Sequence, residues 1–112
     1  MITKKQKKIL DAINRLGGNG ISFIELEREI PEAFGDRSLQ VAINCFVWAF
    51  DPEWVDAFNE LVNSDKIIVK QTHILVYLCD GMPSWLAEYK IAKSARPYKT
   101  MRWLPVCINK GA

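Results

Sequence analysis

The sequence predicts a mainly α domain with a small β-hairpin, an α+β arrangement. Four segments between residues 3 and 63 place apolar residues at three- and four-residue spacing, which is typical of short amphipathic helices. Residues 66–79 then read KIIVKQTHILVYLC, in which two β-prone runs flank a polar break and predict two paired strands. With 112 residues and 49% apolar content, the chain is long enough for one domain with a hydrophobic core.

Capping signals delimit the first two helices. Thr3 precedes the first helix, which is expected to end at Gly17–Gly18. Ser22 and Glu25 have the spacing of a capping box, and Pro31 ends the short second helix. Both segments carry one apolar stripe, so each is expected to pack one face on the core.

A third helix is predicted over residues 37–50, with Asp36 as its cap. Its apolar stripe comprises Leu39, Ala42, Ile43, Phe46, Val47 and Phe50. The remaining side carries side chains that match base edges in the major groove, namely Arg37, Ser38, Gln40 and Asn44. The alternative is that these four residues are only the polar side of a buried helix.

Further apolar residues in this segment, Val41, Cys45 and Trp48, extend the apolar surface almost around the predicted helix. Either the helix is central and covered by the C-terminal segment of its own chain, or it contributes to an oligomer interface such as a homodimer. In the second case Trp48 would be the anchor of that interface.

The fourth helix, residues 52–63, begins with Asp51 as cap and Pro52 in the first turn. The order of helices followed by two strands in FNELVNSDKIIVKQTHILVYL resembles the winged helix-turn-helix family over residues 3–79. The resemblance implies a base-reading helix and a two-stranded wing, with Lys70 and His73 at the wing. The family has three helices before the wing and this sequence predicts four, so either of the last two could be the reader. The 52–63 helix is acidic, which favours a protein partner if it takes that position.

Residues 80–112 form a basic, aromatic extension expected to pack on the core formed by residues 1–79. A helix is predicted over 84–95 and an extended segment over 98–108. Basic and aromatic residues alternate here, a pattern that can stack on bases and neutralise phosphates. The aromatic residues could instead attach the tail to the domain while the lysines remain in water.

Charge is distributed unevenly along the chain, although the formal net charge is only +2. Residues 1–8 contain four lysines, residues 9–79 contain eleven acidic against five basic side chains, and residues 80–112 contain six basic against two acidic ones. Basic ends suit phosphate contact, whereas the acidic body would weaken it. The candidate phosphate contacts are Lys4, Lys5, Lys7, Lys8, Lys70, His73, Lys90, Lys93, Arg96, Lys99 and Arg102.

Metal and catalytic chemistry find little support in the sequence. Cys45, Cys79 and Cys107 are far apart, and His73 is the only histidine, so neither a metal site nor a cofactor is expected. No nucleophile motif or phosphate-binding glycine loop occurs, so the chain is not expected to be an enzyme.

No apolar run approaches the length of a membrane span, and unpaired cysteines favour a cytoplasmic location.

Two functions follow as hypotheses. The first is a small DNA-binding regulator, for which a mobile element is one conceivable source. Its basic N-terminus, wing and tail would hold the phosphates of double-stranded DNA while the 37–50 helix reads bases. The second is an adaptor or inhibitor that binds a basic protein through acidic helices and binds no nucleic acid. Its contact residues would be Glu25, Glu27, Glu29, Trp48, Glu53, Asp56 and Glu60.

Overall fold

Four α-helices and six β-strands make up the part of the chain that the computed structural model describes, residues 2–111. The helices are α1 (Lys4–Arg15), α2 (Phe23–Glu29), α3 (Pro52–Asn63) and α4 (Ile74–Cys79). The strands are β1 (Phe34–Ala42), β2 (Cys45–Phe50), β3 (Ile67–Gln71), β4 (Lys90–Ile91), β5 (Arg102–Trp103) and β6 (Val106–Lys110). Two short 3₁₀ helices cover Pro31–Ala33 and Ser84–Glu88.

The strands form two sheets. The larger is a mixed sheet with the strand order β1-β2-β5-β4, in which β1 and β2 are antiparallel and β5 is parallel to both β2 and β4. The smaller is the antiparallel pair of β3 and β6. The chain is therefore an α/β mix, and the prediction of a mainly α, winged-helix-like domain is wrong.

Three predicted helices are confirmed, and their caps explain where they begin. The hydroxyl of Thr3 accepts from the Gln6 N–H at the start of α1, and Ser22 does the same for Glu25 in α2. Asp51 accepts from the Glu53 N–H at the start of α3. Each cap satisfies an N–H group that the first turn of a helix leaves without a partner.

The predicted 37–50 helix is instead the β1–β2 hairpin. The register pairs Ala42 with Cys45, so that Ile43 and Asn44 form the turn, and Asn44 adopts a left-handed φ of 57°. Residues 45–48 are all buried, which a run of β-branched and aromatic side chains achieves inside a sheet. Cys45 and Trp48, two of the residues that extend the apolar surface of the predicted helix, belong to this buried strand, whereas Val41 is exposed in β1.

The predicted wing is also wrong. Residues 67–71 do form strand β3, but its partner is β6, with Val69 opposite Ile108. The second predicted strand is helix α4, capped by His73. The predicted helix over 84–95 is replaced by the second 3₁₀ helix and strand β4. The extended segment predicted over 98–108 is confirmed from residue 102 onward, where β5 and β6 lie, whereas residues 98–101 belong to a loop. The C-terminal third thus supplies strands to both sheets.

Aromatic residues form the centre of the core. Phe23 stacks on Trp48 with 6.0 Å between ring centroids, and Tyr77 meets Trp103 edge-on at 5.0 Å. Trp48 is only 2% exposed and is packed against Trp85, a residue of the C-terminal third. The C-terminal segment thus covers Trp48, which is not an exposed anchor for an oligomer.

Within residues 2–111, the helices are too short or too polar to cross a membrane.

Candidate nucleic-acid interface

The basic loop, residues 92–101, joins the adjacent parallel strands β4 and β5. It carries Lys93, Arg96 and Lys99, while Lys90 and Arg102 lie in the two flanking strands. No acidic residue occurs in the sequence after Glu88. The five C-terminal phosphate candidates, Lys90, Lys93, Arg96, Lys99 and Arg102, therefore lie on one segment that contains no carboxylate side chain.

Tyr98 organises the basic loop from within. Its phenol oxygen accepts hydrogen bonds from the N–H groups of Lys93 at 3.0 Å and Ser94 at 3.4 Å, and from the Arg96 Nε–H at 3.3 Å. Burial raises the pKa of the Tyr98 phenol, but the Arg96 guanidinium and these N–H groups outweigh burial, so the pKa lies below its ordinary value. The loop is thus held around one hydroxyl.

Two guanidinium groups lie against the Tyr98 ring. The Arg96 group is 5.3 Å and the Arg102 group 4.7 Å from the ring centroid, within the range of cation–π attraction. The Arg102 Nε atom is buried and has no hydrogen-bond acceptor within residues 2–111. Because Tyr98 binds these cations through its ring, their positive charge is not neutralised. Tyr98 was absent from the candidate residues, and the alternation of basic and aromatic residues was the signal for it.

The turn of the β1–β2 hairpin, Ile43 and Asn44, also holds the basic loop through hydrogen bonds. The Tyr98 N–H donates to the Ile43 carbonyl at 3.0 Å, and the Arg102 N–H donates to the Asn44 carbonyl at 2.8 Å. The Asn44 side-chain amide donates to the carbonyls of Tyr98 at 3.0 Å and Lys99 at 3.2 Å. The proposed base reader Asn44 is therefore a structural residue that positions the loop.

The other three base-reading candidates lie on β1, an edge strand, and not on a helix. Arg37, Ser38 and Gln40 are all exposed. The Gln40 side chain accepts from the Asn44 N–H at 3.2 Å and donates to the Ser38 hydroxyl at 3.4 Å. Exposed polar groups of β1 thus continue directly from the turn that holds the basic loop.

Acidic side chains surround the basic N-terminus, in contrast to the basic loop. Lys8 pairs with Glu32 at 3.8 Å, and Lys5 lies 5.8 Å from the Trp54 ring centroid. Lys4 and Lys5 line a shallow depression together with three acidic residues of α3, which are Glu53, Asp56 and Glu60. These carboxylates oppose the lysine charge, so Lys4, Lys5 and Lys8 are weaker phosphate candidates than the basic loop. Lys7 is exposed.

Lys70 and His73 do not lie on a wing, because β3 pairs with β6 and the second predicted wing strand is helix α4. Lys70 lies in β3, and the next side chain, Gln71, donates to the Lys93 carbonyl at 2.6 Å. Successive side chains of a strand point to opposite faces, so Lys70 points away from that contact. His73 caps α4, and its Nδ1 accepts from the Leu75 N–H at 3.1 Å.

The acidic candidates do not form one continuous surface. Glu25 caps α2, Glu29 pairs with Arg15 at 2.7 Å, and Glu60 accepts from Gln6 at 2.7 Å. Glu53 and Asp56 face the lysines of α1. Glu27 accepts from the Trp48 indole N–H at 3.2 Å and is the acid that borders an aromatic groove.

The cysteines differ in environment. Cys45 is buried, and its thiol donates to the Ser94 carbonyl at 3.8 Å, whereas Cys79 is exposed and Cys107 half-buried. Burial raises the pKa of the Cys45 thiol, and the Arg96 N–H opposes this effect only in part. Across residues 2–111, no three His, Cys, Asp or Glu side chains come together as a metal site would require.

The chain shows no significant match to a protein family, to a curated protein or to a solved structure. No family is therefore assigned. The cationic cluster around Tyr98 and the turn at Asn44 are the features from which a function can be inferred.

Proposed function

We propose that this protein is a small DNA-binding regulator that contacts duplex phosphates through its basic loop. One observation carries the proposal: Lys90, Lys93, Arg96, Lys99 and Arg102 are close together in the chain and none forms an ion pair within residues 2–111. Positive charge that is not neutralised by the protein attracts a polyanion, and phosphate contacts supply most non-specific affinity for DNA.

The geometry supports a division of roles. Tyr98 and Asn44 hold the loop backbone, so that its cations are presented from a braced segment and not from a free tail. Bracing lowers the entropy that binding must remove from the loop. Arginine also binds phosphate with two parallel hydrogen bonds, which suits Arg96 and Arg102 for the contacts that set orientation.

Base contacts are assigned to the exposed polar groups of β1. Gln40 lies near the turn, while Ser38 and Arg37 lie about 17 and about 20 Å from it at the usual rise per residue of a strand. Glutamine matches adenine and arginine matches guanine in the major groove. In this proposal the basic loop follows the backbone while β1 faces the groove.

The acidic body limits the orientations in which DNA can approach. Residues 9–79 carry more than twice as many acidic as basic side chains, so they repel phosphate away from the loop.

The proposal also places the protein in the cytoplasm, a reducing compartment where its three unpaired cysteines would persist.

Fluorescence anisotropy with a labelled duplex of random sequence tests the proposal at about 50 mM and about 200 mM salt. A K93Q/R96Q/K99Q variant removes three charges from the loop, and K5Q/K7Q/K8Q is the matched control at the N-terminus. The loop variant is expected to lose about tenfold or more in affinity, with the salt slope reduced by about 2.7. The control is expected to bind within about threefold of the natural protein, because carboxylates already oppose part of its charge. Equal losses in the two variants, or no binding at low salt, would contradict the proposal.

A further inference from the structure

An aromatic groove lies at the end of the hairpin away from the basic loop. It has a volume of about 530 Å³ and is bordered by Phe34, Trp48, Trp85, Glu27 and Asp36. Asp36 and the turn residue Ile43 are seven positions apart, a span of about 23 Å along a strand. The groove therefore lies away from the basic loop, although the same strand β1 carries the proposed base contacts Arg37, Ser38 and Gln40.

The wall of the groove contains an exposed tryptophan. Trp85 is 41% exposed although its ring lies only 5.6 Å from the buried Trp48 ring. Trp85 also stacks near Phe46 at 6.4 Å, so neighbouring rings hold it in place. An exposed and fixed indole face provides both an apolar contact and a site for cation–π attraction.

Two carboxylates give the groove a negative charge. One oxygen of Glu27 accepts from the Trp48 indole N–H at 3.2 Å, which orients the carboxylate beside the rings. Asp36 is exposed in β1 on the same border. No Lys or Arg lines the groove, and neither acid forms an ion pair within residues 2–111. A ligand that fits these charges and rings is a cation with a flat face. The guanidinium group of an arginine side chain has both properties.

The neighbouring backbone offers a way to deliver that side chain. Strand β1 is at the edge of the four-stranded sheet and pairs only with β2 among the described residues. Gly35 to Ser38 are exposed, and the regular part of this open edge begins at Arg37, because the register with β2 shifts between Phe34 and Arg37. An extended peptide can add to such an edge and place alternate side chains in adjacent pockets.

We propose that the aromatic groove binds an arginine side chain of a partner protein whose extended segment adds as a strand along β1. Glu27 and Asp36 take hydrogen bonds from the guanidinium, and Trp85 contacts its face. The ligand of this site is a basic peptide, and its binding is a second function that shares strand β1 with the proposed base contacts.

Amide and indole chemical shifts of the isotopically labelled protein test this site. The probe is a short peptide of alternating threonine and valine with one central arginine, and the matched peptide has citrulline, which keeps the shape and loses the charge. The arginine peptide is expected to shift the Trp85 indole and the amides of residues 36–41, with an affinity at least about tenfold above the citrulline peptide. Equal affinity for the two peptides, or shifts elsewhere only, would overturn the proposal.

Two conservative variants make the test specific to the groove. Glu27→Gln keeps an acceptor for the Trp48 indole, and Asp36→Asn keeps the size of the side chain, so both are expected to fold. Each should reduce the preference for arginine over citrulline about threefold, and together they should abolish it. Glu53→Gln, which removes an exposed acid from α3, should leave the preference unchanged. A shift of the same amides on raising the protein concentration without peptide would assign the edge to a second copy of the chain and overturn the proposed partner.

Discussion

The side-chain amide of Asn44 donates to the Tyr98 carbonyl at 3.0 Å and so joins the hairpin turn to the basic loop. The same amide reaches the Lys99 carbonyl at 3.2 Å, and the left-handed φ of 57° aims it there. Asparagine adopts this backbone conformation more readily than most residues. One turn residue thus fixes both the hairpin and the loop that carries the cations.

Replacing Asn44 separates these two roles. Asn44→Gly keeps the left-handed φ but removes the amide, so we expect a stable protein whose duplex affinity falls about threefold to tenfold as the loop loses its brace. Asn44→Ala loses the amide and is also strained, and we expect its free energy of unfolding to lie about 1 kcal/mol below that of the glycine variant. Urea denaturation and anisotropy measure the two effects. Natural affinity in Asn44→Gly would show that the turn does not position the loop.

Tyr98 should titrate before Tyr77. Hydrogen bonds from Arg96, Lys93 and Ser94 lower the pKa of Tyr98 despite burial, whereas burial raises the pKa of Tyr77. In an alkaline titration followed by phenolate absorbance, the step that Tyr98→Phe removes should lie at lower pH than the step that Tyr77→Phe removes. The reverse order of these two steps would contradict the described loop geometry.

The two shifts act on stability in opposite directions. The folded-state pKa of Tyr98 is depressed, so its contribution is present above the ordinary value of about 10 and is lost as the pH falls through the folded value. Tyr77 has a raised pKa, so its contribution is present below about 10 and is lost as the pH rises through the folded value. Urea midpoints of Tyr77→Phe and the natural protein should therefore converge at strongly alkaline pH.

Tyr77 also bridges two distant parts of the core. Its hydroxyl donates to the Val106 carbonyl at 2.6 Å and accepts from the Phe23 N–H at 3.2 Å. Tyr77→Phe leaves both buried groups without a partner, and we expect a loss of about 1–3 kcal/mol in the free energy of unfolding. Tyr89→Phe is the control, because Tyr89 is 37% exposed. A loss of the same size in both variants would mean that the bridge contributes nothing specific.

Amide exchange should distinguish the two strands of the hairpin. β2 lies between β1 and β5 with residues 45–48 buried, so its amides should exchange slowly. Over residues 37–39, where the register with β2 is regular, amides of β1 that point to the open edge should exchange fast and alternate with protected ones that pair with β2. Continuous protection with helical carbon shifts over residues 37–50 would restore the helix predicted from sequence and refute the hairpin.

Local signals in the sequence determined the three helices that start at Thr3, Ser22 and Asp51. In each, a capping side chain and an apolar stripe lie within a few residues of one another, so neighbours in the chain contain the information. The basic and aromatic alternation after residue 88 also indicated the candidate site, although it did not single out Tyr98.

Partners far apart in the chain decided the rest. Residues 45–50 repeat their apolar side chains in a way that fits a helix or a buried strand, and pairing with Arg102 and Trp103 selects the strand. Residues 67–71 form a strand in either arrangement, but only the tertiary structure chose β6 in place of the adjacent residues 73–79, which became a helix. The sequence by itself thus determined where helices begin and where charge accumulates. Only the tertiary structure placed Asn44 against Tyr98, because that contact joins segments more than fifty residues apart and depends on the packing of both.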